Sequence, residues 1–184
     1  MENTISDTLA KFTKGLVLVY TGDGKGKTTA ALGQALRIIG HGGKVLVIQF
    51  MKGKKYGEVL CAEKFIPDLV FCQCGLDSFV MKDNPAPVDI ELARQGLNLA
   101  RKAVESEEYK MLILDEINVA LDFKLVSLEE VVALIRKKPS GMDLVLTGRY
   151  APPEIIELAD MVSEVKEIKH HYSQGIKERA GMEF

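Results

Sequence analysis

A three-layer α/β fold with a mostly parallel central sheet is what this sequence predicts. Three observations carry the prediction. Short apolar runs of strand length alternate along the chain with stretches of helical period. Several of those runs are apolar throughout rather than alternating, as in strands buried on both faces of a parallel sheet. The first run passes through a glycine-rich turn directly into a helix, the local order that opens a βαβ unit.

The elements follow in order. Residues 15–20 form the first strand and residues 29–39 the first helix. In that helix Leu32, Leu36 and Ile39 are expected to share the buried face, and Gly40 and Gly42 stop it. Strands are predicted over residues 45–50 and 69–73. After Pro85 and Pro87, the residues Ala93, Leu97, Ala100 and Val104 repeat at helical spacing. Residues 111–114 read as a buried strand. Ser127 and Glu130 form a capping box ahead of Val131, Leu134 and Ile135, and Pro139 lies past the end. Residues 144–147 are another buried strand. Pro152 and Pro153 suit the first turn of a short helix through Ala159. Residues 162–169 are more polar, which suits an edge strand. In such sheets ligands collect at the carboxyl ends of the strands, where Thr21, Asp115 and Gly148 fall.

Composition narrows the class. The chain has 184 residues, which predicts one domain over residues 15–184 behind a flexible polar segment, residues 1–14. Hydrophobic content of 47% and charged content of 27% are ordinary for a globular protein. A net charge of −2 argues against nucleic acid as the main partner. No apolar run approaches the ~20 residues of a membrane helix, and the first residues lack an apolar signal core. Three cysteines give no even disulfide framework. The expectation is a cytoplasmic protein.

The glycine-rich turn is the most informative motif: Thr21-Gly22-Asp23-Gly24-Lys25-Gly26-Lys27-Thr28-Thr29. A phosphate-binding loop needs a strand before it, a helix after it, and Gly-Lys-Ser/Thr at its end. Here Thr21 stands at the first glycine position and the rest fits. Lys27 is placed to reach phosphates, and the Thr28 hydroxyl to bind Mg²⁺. A second motif is the strand that ends in Asp115 and Glu116, two carboxylates able to hold Mg²⁺ directly or through water. Arg149, after Thr147 and Gly148, reads as a phosphate or ribose contact, with a surface ion pair as the alternative. Cys72 and Cys74 face one side of a strand and read as core. His41, His170 and His171 lack metal-ligand spacing and read as solvated or turn residues. Lys52, Lys54 and Lys55 read as a solvated loop, with a place near the phosphate end as the alternative.

Residue chemistry alone therefore gives an ATP- or GTP-binding domain with Mg²⁺. It leaves open an ATP hydrolase of RecA-like type with Glu116 activating water, a small-molecule kinase, and a nucleotide-gated binding module. A kinase usually clusters arginines over the γ-phosphate, and this sequence shows no such cluster.

Several segments in order resemble one family. They are Tyr20 to Ala30, Gly40-His41-Gly42, Val47 to Gly53, Leu114-Asp115-Glu116 and Leu146-Thr147-Gly148-Arg149. Ala159-Asp160, Val162-Ser163-Glu164, Lys169-His170 and the ending from Gly175 to Gly181 complete the set. Nearly the whole chain after residue 14 thus resembles the CobA/BtuR/CobO-type corrinoid adenosyltransferases, also called cob(I)yrinic acid a,c-diamide adenosyltransferases. The resemblance implies a P-loop NTPase fold of RecA-like type. It also implies attack by a Co(I) corrinoid on the 5′-carbon of ATP, with triphosphate leaving and the nucleotide lying reversed in the loop.

Carried over by position, Gly22, Asp23, Gly24, Lys25, Gly26, Lys27, Thr28 and Thr29 surround the triphosphate. Lys27, Thr28 and Glu116 carry the catalytic work. Thr28 and Glu116 hold Mg²⁺ with Asp115 beside them, Arg149 lies near the nucleotide, and the N-terminal segment orders over the corrinoid. The resemblance further implies a homodimer and a reductase, a flavoprotein, that supplies Co(I). One departure stands out. Enteric members carry Phe-x-Trp after the third strand, whereas this chain has Phe79-Val80-Met81. Phe79 is carried over to the corrinoid pocket, with core packing as its alternative reading, and Met81 cannot reproduce a Trp.

Overall fold

Side chains along a strand point alternately to its two faces, so a strand that is apolar throughout needs cover on both. The computed structural model describes residues 14–184, and the segment expected over residues 1–14 lies, apart from Lys14, outside them. Six strands form one sheet: β1 (Val17–Thr21), β2 (Val45–Phe50), β3 (Leu69–Cys74), β4 (Met111–Asp115), β5 (Asp143–Thr147) and β6 (Met161–Glu164). Their order is β3-β2-β4-β5-β1-β6, and every pairing is parallel. The predicted sheet is thus observed, and it is parallel throughout. β6 sits at an edge, as its polarity predicts, but ends at Glu164 instead of running to residue 169.

Among the described residues six α-helices cover the sheet: α1 (Lys27–Gly40), α2 (Gly57–Phe65), α3 (Pro87–Ser106), α4 (Ile117–Asp122), α5 (Leu128–Lys137) and α6 (Pro153–Leu158). The two faces carry separate cores. Val17, Val19, Ile48, Leu112, Leu114 and Leu146 point toward α3 to α6, where Leu97, Ile117, Leu134 and Ile155 meet them. Leu18, Tyr20, Val45, Val47, Ile113 and Val145 point the other way, toward Ala31 and Ala35 of α1 and Ala62 of α2. This alternation of neighbouring residues between two cores is the three-layer architecture.

Three expectations need correction. Leu36 is 52% exposed, so the buried stripe of α1 runs through Ala31 and Ala35 with Leu32 and Ile39 at its margin. Two alanines on the inner face let the helix approach the strands more closely than leucines could. Helices α2 and α4 were not expected at all. By contrast the capping box of α5 forms as predicted: Ser127 Oγ accepts from the Glu130 N–H at 3.3 Å, and Glu130 Oε2 accepts from the Ser127 N–H at 3.4 Å.

Candidate active site

The loop between β1 and α1 is shaped by residues that other side chains could not replace. Gly22 has φ +96°, and a Cβ there would stand 2.5 Å from the Val165 carbonyl oxygen. Gly26, at the N-terminal boundary of α1, has φ +119°. Both angles lie where L side chains are strained. The Gly24 N–H donates to the Val165 carbonyl at 2.8 Å, so the chain after β6 closes one flank of the loop. No side chain caps α1 and no acidic residue sits in its first turn. Its first N–H groups and positive dipole end are therefore available to an anion. The Lys27 ammonium lies beneath, donating to the carbonyls of Gly22 and Gly24, each at 2.7 Å. Burial lowers its pKa, with Arg149 adding repulsion.

Asp115 ends β4 with its side chain wholly buried. Its Oδ1 accepts from the Thr28 hydroxyl at 2.8 Å and from the Thr147 hydroxyl at 2.7 Å. Its Oδ2 accepts from the Lys52 ammonium at 2.8 Å and from Gln49 Nε2 at 3.3 Å. Burial alone would raise the Asp115 pKa, but the Lys52 charge and hydrogen bond, with the two threonines, hold it below the usual carboxylate range. Lys52 shows the mirror effect: burial would lower its pKa, yet Asp115 raises it. Both groups are thus charged. This corrects the solvated-loop reading of Lys52, whose side chain is only 17% exposed.

Glu116 follows in a left-handed conformation, φ 63°, and its N–H donates to the Thr147 hydroxyl at 3.0 Å. Burial and the neighbouring Asp115 raise its pKa. Met51 and Tyr150, just beyond β2 and β5, also have positive φ. Such strained non-glycine residues persist where the surrounding structure over-determines them, and they cluster at functional edges.

A cavity of about 450 Å³ opens beside the loop, lined by Lys25, Gly26, Lys27, Thr28, Thr29, Lys52, Tyr56, Glu58, Glu116 and residues 181–184. Arg149 lies across the loop, with Nη2 3.3 Å from the Asp23 carbonyl and Nε 3.9 Å from its carboxylate. Both of these side chains are largely exposed. Phe79 is fully exposed, which rules out core packing. It lines a second cavity of about 280 Å³ that shares Lys52, Tyr56, Glu183 and Phe184 with the first. A larger cavity of about 550 Å³ lies between α3 and α5, away from the phosphate loop.

Cys74 is buried, and burial pushes its thiol up to about 11. Cys72 packs beside the same core, as predicted. Among the described residues no group of three or more His, Cys, Asp or Glu side chains is placed to hold a metal. Sequence reasoning missed Lys52, Gln49 and Thr147 as partners of Asp115, and residues 181–184 as part of the cavity. Lys52 carried a signal, since it falls within the segment Val47 to Gly53, and Gly181 ends the segment from Gly175; residues 182–184 carried none.

The family described as ATP:corrinoid adenosyltransferase BtuR/CobO/CobP matches residues 13–184. The chain belongs to this family. A corrinoid adenosyltransferase of Sinorhizobium sp is 38% identical over 173 residues, 93% of this chain and 81% of that one. One from Escherichia coli (strain K12) is 36% identical over 172 residues, covering 93% of this chain and 86% of the relative. The corrinoid adenosyltransferase CobA of Salmonella typhimurium is 33% identical, with the same two coverages of 93% and 86%. A solved KaiC-like protein from Pyrococcus horikoshii OT3 superposes with a TM-score of 0.54 at 15% identity, over 85% of this chain and 75% of that chain. At that identity the likeness speaks for the fold alone, and it agrees with the RecA-like P-loop architecture of this family member. No helix among the described residues is long and apolar enough to cross a membrane.

Proposed function

We propose that the chain transfers the 5′-deoxyadenosyl group of ATP to the Co(I) of a reduced corrinoid and releases triphosphate, in adenosylcobalamin biosynthesis or salvage. The observation that carries this reading is the family match over residues 13–184 around a phosphate loop that departs from the usual pattern only at Thr21. The Co(I) lone pair forms a bond to the 5′-carbon as the carbon–oxygen bond breaks. The electron pair leaves on the triphosphate, and cobalt is formally oxidised by two electrons. Co(I) is itself the nucleophile, so no side-chain nucleophile or base is needed. The protein's task is to hold cobalt and carbon in line and to stabilise the leaving group.

The residues present suit that task. The loop from Gly22 to Thr29 and the end of α1 offer N–H groups to the triphosphate, and Lys27 adds a positive charge. Lys52, held by Asp115, puts a second ammonium on the same cavity. Mg²⁺ takes one or two carboxylates and completes its shell with phosphate and water. An all-oxygen set of Thr28 and Glu116 fits such an ion. Asp115, its oxygens engaged, acts through the Thr28 hydroxyl. Bound there, Mg²⁺ supplies offsetting charge to the departing phosphate oxygens. Arg149 extends the positive rim near Asp23. Phe79 and Met81, both exposed on the loop after β3, give apolar surface for the corrinoid face.

We further place residues 15–184 as one catalytic domain, active as a cytoplasmic homodimer and supplied with Co(I) by a flavoprotein reductase. The support for these points is the family resemblance. The reaction is tested by anaerobic incubation with ATP, Mg²⁺ and a chemically reduced corrinoid. A light-sensitive organocobalt product is expected. Its absence with folded, ATP-binding protein refutes the reading.

A further inference from the structure

Residues 181–184 form one wall of the nucleotide cavity, and beyond Gly181 no motif foretells them. They are tied to the phosphate loop from far along the chain, since Lys25 Nζ donates to the Met182 carbonyl at 2.6 Å. They are tied to the β2–α2 connection as well. The Phe184 ring lies 6.5 Å from the Tyr56 ring, tilted by 44°, and the Lys54 ammonium stands 4.7 Å over it. Glu183 and Phe184 line both the cavity beside the loop and the one beneath Phe79, so they form the partition between them.

The Glu183 carboxylate is unusual within this wall. Its side chain is only 15% exposed, and one oxygen, Oε2, accepts from the Arg179 N–H at 2.9 Å. The other oxygen, Oε1, is buried without a hydrogen-bond partner. Two nitrogens stand near it, the Lys25 ammonium Nζ at 3.7 Å and the His171 ring Nε2 at 3.5 Å, at separations too long for a good hydrogen bond. The Arg179 N–H, with Lys25, keeps the Glu183 pKa below its ordinary value, so the group is an anion at neutral pH. A buried anionic oxygen without a donor is costly unless a ligand supplies one.

The cavity's shape says which part of a nucleotide would arrive there. The chain after β6 closes one flank of the loop through Val165. The lined space runs the other way, toward Tyr56 and residues 181–184. A triphosphate seated in the loop therefore directs its nucleoside half to that wall. We propose that residues 181–184 are part of the substrate site: Glu183 Oε1 accepts a hydrogen bond from the nucleoside half of ATP, and Phe184 with Tyr56 flanks its base. The donor is a neutral O–H or N–H, which the ribose hydroxyls and the adenine amine both provide. This inference rests on the nucleotide reading given above.

The test compares binding of ATP and of inorganic triphosphate, each with Mg²⁺, by calorimetry on the full chain and on Glu183→Gln and Phe184→Ala. Each variant is expected to bind ATP about 10-fold or more weakly while holding inorganic triphosphate as the unaltered chain does. Unchanged ATP binding in both variants overturns the proposal. So does an equal loss for both ligands, which would mean that the segment only braces the loop. ATP analogues lacking the 2′-hydroxyl, the 3′-hydroxyl or the 6-amino group locate the donor. The analogue missing it binds the unaltered chain weakly and is not weakened further by Glu183→Gln. If every analogue suffers the full additional loss, Glu183 contacts no nucleoside donor and the assignment to it is wrong. An unaltered chain that binds neither ATP nor triphosphate refutes the nucleotide reading itself, and this proposal with it.

Discussion

Replacing Lys52 with Met is the sharpest test of how the phosphate loop is coupled to β4. The Lys52 ammonium stands 2.8 Å from Asp115 Oδ2, with side chains 17% and 0% exposed. Their attraction is about 6 kcal/mol at an effective dielectric of about 20, largely offset by the cost of taking both charges out of water. Removing one partner keeps the cost and loses the attraction, which typically destabilises by about 3–5 kcal/mol. Thr28, Thr147 and Gln49 still donate to Asp115, so a loss near the lower bound, about 3 kcal/mol, is expected. For a chain of this length that lowers Tm by roughly 6–12 °C. The sign of the pH effect follows. In the unaltered protein Asp115 has a depressed folded pKa, so its contribution is present above the unfolded value and lost as pH falls. In Lys52→Met, burial without the ammonium raises the folded pKa above the unfolded one. Stability then improves as pH falls toward about 4 and worsens as it rises. Chemical denaturation of ligand-free protein at two pH values reads both effects, and adding Asp115→Asn should restore most of the loss. A loss under about 1 kcal/mol, or one with no pH dependence, would refute the buried-pair argument.

Other outcomes follow from the same geometry. Lys27→Ala should keep the fold, since its ammonium donates to the loop carbonyls of Gly22 and Gly24, yet weaken ATP binding by 10-fold or more; near-unaltered affinity in calorimetry would remove the lysine from the phosphate site. Glu116→Ala should raise the Mg²⁺ concentration needed for half-maximal activity, and an unchanged Mg²⁺ titration would take Glu116 out of the metal shell. A thiol reagent at pH 8 should label exposed Cys61 promptly and Cys74 only on unfolding, because a thiol pushed up to about 11 and buried offers almost no accessible thiolate; equal labelling rates would show that β3 frays.

Much of the fold was legible because it depends on local patterns. β1, β4 and β5 are built on unbroken apolar runs and β2 on one broken only at Gln49, and a run buried on both faces admits few other readings. The capping box of α5 needs only two residues three apart. Helix α4 was not legible because its six residues, Ile117–Asp122, are too few to show a helical period and follow β4 almost directly. Only the left-handed turn at Glu116 separates the two. Helix α2 has no strong apolar stripe and buries just Val59 and Ala62. Leu36 misled because hydrophobicity was taken for burial, whereas close packing on the sheet favoured the two alanines.

The site divides in the same way. The phosphate loop and the Asp115-Glu116 pair announce themselves, each being a short run whose chemistry depends on adjacent residues. Lys52 looked like one charge in a basic run. Its role exists only because β2 and β4 are neighbours in the sheet, which places Gln49 opposite Asp115 in register and Lys52 just beyond it. Met182 meets Lys25 across 157 positions of sequence, a distance at which no periodicity or spacing gives warning.

Phosphorus NMR of the reaction products tests the central claim most directly. The protein is incubated without oxygen, with ATP, Mg²⁺ and a chemically reduced corrinoid, beside a control lacking corrinoid. Attack at the 5′-carbon predicts intact inorganic triphosphate, formed only when corrinoid is present. ADP and phosphate formed without corrinoid would mean cleavage at the γ-phosphate, and would contradict adenosyl transfer as the function of this fold.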